Sequence, residues 1–120
     1  MNSYEIIKSI LDEVDPNIQV LMDSQDVVTV PPIITYDIMQ ESTHFRDNSM
    51  DIRNITISVW CYSKDKSSGI ELKEKVIEKM DSYNIKLRSM TNVKSLDSNI
   101  FVLRFKCKMM KHNNKIEIYQ

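Results

Sequence analysis

Apolar positions recur along this chain with two different periods, and the switches between them divide it into elements. Near the start, Ile7, Ile10, Leu11 and Val14 fall at spacings of three and four, with Tyr4 and Ile6 at the flanks, which predicts a helix over 2–14. Asn2 followed by Glu5 reads as a variant capping box, and Asp15-Pro16-Asn17 stops the helix. Residues 18–22 predict a short strand. Beyond the polar stretch Asp23-Ser24-Gln25-Asp26, the pair Pro31-Pro32 forces extended backbone and introduces a strand over 33–40. The strongest alternation runs over 51–63, with Ile55, Ile57, Val59 and Cys61 on one face and Thr56, Ser58, Trp60 and Tyr62 on the other. These two strands are expected to form a long antiparallel hairpin.

The period then returns to that of a helix. Ser68 with Glu71 reads as a capping box, and Ile70, Val76, Ile77 and Met80 give an apolar face to a helix over 68–80. Two more strands follow, over 85–93 and 100–110. In the second, Phe101, Leu103, Phe105, Cys107 and Met109 alternate with Val102, Arg104, Lys106 and Lys108. Residues 111–120 are expected to form an arm or an edge strand. The order is α-β-β-β-α-β-β, with a further terminal β where the last segment pairs. It predicts an α+β fold, an antiparallel sheet with a long β-hairpin and two helices packed on one face.

With 120 residues, the chain can bury one core and is too short for two domains, so a single domain over 1–120 is expected. Sixteen basic side chains against seventeen acidic ones leave a net charge of -1, so no whole-molecule field draws it to nucleic acid or membrane. No apolar run approaches the ~18 residues of a membrane span, and the first residues lack a signal peptide's basic and apolar regions. Gly69 is the sole glycine, which excludes the Gly-rich phosphate cradles, dinucleotide fingerprints and nucleophile elbows that need several. Cys61 and Cys107 lack the close partner of a zinc motif and sit in β-like runs, so two reduced, buried thiols are expected.

No catalytic or metal-ligating constellation is legible, and no cofactor is expected. A nuclease built on His44 with Asp37 and lysines is the weakest reading, because His44 has no partner in a recognisable motif. Two surfaces remain as candidates. The first is an interface formed by the polar loop Glu41, Ser42, Thr43, His44, Phe45, Arg46, Asp47 and Asn48, together with Trp60 and Tyr62. Those two aromatics oppose the aliphatic face of their strand; they either cover a second small core beneath a helix or stand exposed as a subunit contact. The second is a basic face, Arg104, Lys106 and Lys108, which either tracks a phosphate backbone or is the solvated side of a half-buried sheet.

A capped N-terminal helix, a short strand and the proline-led strand Pro32-Ile33-Ile34-Thr35-Tyr36 come first in this chain. After a polar hairpin loop comes the strand Ile55-Thr56-Ile57-Ser58-Val59-Trp60-Cys61-Tyr62-Ser63, which leads directly into an amphipathic helix. Over roughly residues 1 to 110 this pattern resembles the tail-completion or tail-terminator proteins of long-tailed bacteriophages. The resemblance implies a non-enzymatic structural virion protein, made in the host cytoplasm and located at the head-proximal end of the tail. Such proteins form a hexameric ring that ends tube polymerisation and provides the head-joining surface. The implied partners are further copies of the chain, the tail tube protein and a head-completion or connector protein, with DNA passing through the lumen at most non-specifically. Two alternatives stay open: a neck or head-completion adaptor, and a small nucleic-acid-binding α+β module using Arg104, Lys106 and Lys108.

Overall fold

The computed structural model describes residues 3–22, 31–42, 50–94, 99–112 and 115–119. Its elements are α1 (Ser3–Asp12), β1 (Gln19–Met22), β2 (Ile33–Ser42), β3 (Met50–Ser63), α2 (Lys66–Ser82), β4 (Lys86–Lys94), β5 (Asn99–His112) and β6 (Lys115–Tyr119). The class is the expected α+β. The strands form one sheet in the order β1-β2-β3-β5-β4, with β6 also paired to β5. The last segment is therefore an edge strand.

β2 and β3 form the expected antiparallel hairpin, from Ile33 opposite Tyr62 to Ser42 opposite Arg53. β3 pairs along its whole length with β5, from Met50 opposite His112 to Ser63 opposite Asn99. One expectation is corrected: the sheet is mixed, because β1 runs parallel to β2, with Gln19 beside Ile33 and Met22 beside Tyr36. The intervening residues 23–32 are too many for a tight hairpin, and the chain enters β2 from the same end as β1.

Alternation decides which side of the sheet is covered. Ile34, Tyr36 and Ile38 of β2, Ile55, Ile57, Val59 and Cys61 of β3, and Phe101, Leu103 and Phe105 of β5 all join one core with both helices. From α1 come Ile7, Ile10 and Leu11, each nearly fully buried. Burying such a side chain is worth roughly 1.5–3 kcal/mol. Tyr36 ties the helix to the sheet: its hydroxyl donates to the Tyr4 carbonyl at 3.4 Å, while the Tyr4 hydroxyl donates to the Ile38 carbonyl at 3.1 Å. The helix ends at Asp12, and after the turn that follows the Asp15 carboxylate accepts the Asn17 backbone N–H at 2.9 Å in an Asx turn.

α2 begins earlier than its S-x-x-E pattern predicts. Asp65 is the N-cap; its carboxylate accepts the Ser68 backbone N–H at 2.7 Å, which places Ser68 inside the helix. An aspartate accepts this bond as well as a serine does, and it comes three residues sooner. The buried face is Gly69, Leu72, Val76 and Met80, with Ile77 packed against the core. Ile70, expected on that face, is exposed instead, because the face follows Gly69 and Leu72. At the other end Asn84 takes φ 65°, the Asn84 N–H donates to the Asp81 carbonyl at 2.9 Å, and the Ile85 N–H donates to the Met80 carbonyl at 3.0 Å. This is a Schellman motif, completed by the buried pair Ile85 and Met80.

The fourteen-residue strands β3 and β5 set the long dimension. At about 3.4 Å per residue each spans roughly 47 Å, and a 17-residue helix spans only about 25 Å. The molecule measures 51 × 25 × 23 Å with a radius of gyration of 15.1 Å. A compact chain of this length would have about 13.6 Å.

Candidate functional site

The face of the sheet turned away from the helices carries Trp60, Tyr62, Arg104, Lys106 and Lys108. Cross-strand pairing arranges it in rows. One row runs Gln19, Ile33, Tyr62, Ile100, Val93, and the next runs Leu21, Thr35, Trp60, Val102, Thr91. Then come Asp37, Ser58, Arg104 and Ser89, followed by Met39, Thr56, Lys106 and Lys86, with Asn54 opposite Lys108 beyond. The face is therefore graded, apolar and aromatic at one end and cationic at the other.

At the apolar end, Trp60 and Tyr62 are half-buried. Among the described elements no helix lies over them. Their β2 neighbours Ile33 and Thr35 are 2% and 4% exposed, so this end is no open aromatic platform. The Thr35 hydroxyl is buried and has no hydrogen-bond partner among the described residues. Leaving such a group unpaired costs about 1–3 kcal/mol.

At the other end, Arg104, Lys106 and Lys108 are all exposed, on one side of β5 as alternation predicts. Pairing adds Arg88, which the sequence reading missed. It lines a cavity of about 240 Å³ with Lys106, Lys108, Asn54 and Thr56. Arg88 gave no signal in the sequence because it reaches this face through a register irregularity between Leu87 and Ser89. A second cavity, of about 330 Å³, lies between the helices and is lined by Glu13, Lys75, Glu78 and Lys79. Its charges are mixed, and the Glu13 carboxylate accepts the Tyr83 hydroxyl at 2.6 Å.

The loop half of the expected interface falls almost wholly outside the described residues. Glu41 and Ser42 end β2 opposite Asn54 and Arg53, with side chains outside the described residues. Thr43, His44, Phe45, Arg46, Asp47 and Asn48 lie wholly outside them. Asp37, the other member of the nuclease reading, is an exposed residue of β2.

Cys61 and Cys107 are both buried and free. They share the core face, but Cys107 pairs with Ile55, six residues along β3 from Cys61, roughly 20 Å at strand spacing. Burial pushes the Cys61 thiol up to about 12 and the Cys107 thiol to about 11. Both are protonated at neutral pH, which suits core packing and not nucleophilic attack. Among the described residues no group of three His, Cys, Asp or Glu side chains converges as a metal site. No helix among them is long and apolar enough to cross a membrane. Comparison with protein-family models and with curated proteins finds no match.

Proposed function

We propose that this chain is a structural virion protein of the tail-terminator type. It assembles with its own copies into a ring, six by the resemblance, on the head-proximal end of a tail tube. There it ends tube growth and offers a surface to a head-completion protein. The observation that carries this reading is the pair of unlike edges on one sheet. A ring closes through heterologous contacts, in which one patch meets a different patch on the neighbour. One edge is the four-residue β1, half-sheltered by α1. The other is the nine-residue β4, exposed on both faces from Arg88 to Lys94, with Met90 and Val93 open to solvent. An edge strand with free N–H and C=O groups and an uncharged stretch such as Ser89-Met90-Thr91-Asn92-Val93 is a ready partner for another chain.

The order of elements adds support. β3 carries Trp60 near its end and passes through Lys64 and Asp65 straight into α2, the succession on which the resemblance rests. The test is the tail-length distribution in a virus lacking this chain. Overlong tail tubes are expected. Tails of normal length on leaking heads would instead assign the chain to the neck, and normal, filled virions would overturn both roles.

A further inference from the structure

β4 and β6 lie end to end against the same side of β5. β4 pairs with residues 99–106 of β5 and β6 with residues 108–112, so Cys107 has no partner residue on that side. A short way along β5, opposite Phe105 and Arg104, the register shift between Leu87 and Ser89 places Arg88 outside the paired sequence. A bulge of this kind bends its strand and re-aims the displaced side chain. Here Arg88 joins Lys106 and Lys108 around the 240 Å³ cavity, with Asn54 and Thr56 on the β3 side.

None of these three cations is neutralised by a described side chain. The ion pairs of the described residues lie elsewhere: Lys8 with Asp12, Lys73 with Glu74, Lys75 with Asp15, and Lys86 with Asp81. Arg104 continues the row along β5, likewise without an ion pair among the described residues, and Ser58 stands between it and Asp37. Successive cations on one side of a strand lie about 7 Å apart. Like charges held that close repel one another, and a bound anion relieves the repulsion.

We propose that this notch is a phosphate-binding site that takes the phosphodiester backbone of a nucleic-acid strand. Donors converge on the cavity from β3, β4 and β5. That suits a tetrahedral phosphate, whose oxygens point several ways, better than a planar carboxylate, which one arginine fork satisfies. Arg104 extends the cationic row past the cavity, so the ligand is a linear polyanion and not a lone phosphate. The site does not depend on the tail-terminator role, and the two fail separately.

The test is fluorescence anisotropy of a short labelled DNA strand, titrated with the full chain between about 50 and 200 mM salt. Three to four phosphate contacts predict a log–log salt slope of roughly -2 to -3 for a single strand. The combined variant Arg88→Gln, Lys106→Gln, Lys108→Gln keeps the aliphatic stems of three exposed side chains, so its far-UV spectrum should match the parent. It should bind at least about tenfold more weakly at the lowest salt, with a slope shallower by about 2. The control Lys8→Gln, Lys64→Gln, Lys75→Gln removes the same charge from other surfaces and should bind as the parent does. No binding by the parent at low salt would overturn the site, as would equal losses in the two variants. Competition by polyglutamate as strong as that by unlabelled DNA would assign the notch to an acidic protein segment instead. Equal competition by inorganic phosphate would reduce it to an isolated oxyanion site.

Discussion

Gly69 lies where the first turn of α2 crosses the ends of β3 and β5. A Cβ there would stand 2.6 Å from the Ser63 Oγ, 2.7 Å from the Asn99 Nδ2 and 3.0 Å from the Phe101 ring. Ser63 cannot easily yield, since its one hydroxyl proton is shared between the Asp65 carbonyl at 2.9 Å and the Asn99 carbonyl at 3.2 Å. Crowding of this kind costs about 1–3 kcal/mol. Alanine regains at most about 1 kcal/mol of helix propensity over glycine. Gly69→Ala should therefore lower stability by about 1–2 kcal/mol, read as a lower urea midpoint with an unchanged slope. A variant as stable as the parent would show that α2 can lift off the strand ends without loss. The sole glycine is thus a packing residue. Its count was legible in the sequence, but its reason was not, because Ser63 and Asn99 meet it only through pairing across 36 residues.

At the scale of elements, α2 shows how a local pattern can be right in kind and wrong in phase. The helix was legible from its apolar spacing. Its start was not, because Asp65 and Ser68 are both good caps in sequence and only the chain's exit from β3 selects between them. The Ser68 N–H holds the Asp65 carboxyl below its usual range. Depression in the folded state means the stabilisation is complete above the unfolded value of about 3.9 and is lost as pH falls through the folded one. Asp65→Asn keeps an oxygen acceptor but no charge. The parent should be more stable than this variant at neutral pH, by an amount that stays constant down to about pH 5 and shrinks below about pH 4. A difference that does not change on acidification would remove the charge from the cap. The strands were legible for a related reason: alternation places Ile55, Val59 and Cys61 inside and Trp60 and Tyr62 outside whatever they pair with. Strand direction was not legible, since β1 beside β2 reads the same in sequence whether parallel or antiparallel.

The whole molecule is an elongated sheet, helices on one face, the other graded from aromatic to cationic, with two unlike edges. That gradient needs the register of β3 against β5, which sets Trp60 beside Val102 and Ser58 beside Arg104 and which no local pattern encodes. Arg88 joins the cationic end only through a bulge, the least legible feature of all. The central claim is that this body closes into a ring through its unlike edges. It is tested most directly by native mass from light scattering over a range of concentrations, with negative-stain images of the same sample, alone and with purified tail tubes. A closed ring with a central hole is expected, at six times the 14.1 kDa chain mass, free or seated on tube ends. A monomer or a two-fold dimer at every concentration, with tube ends left bare, would contradict it.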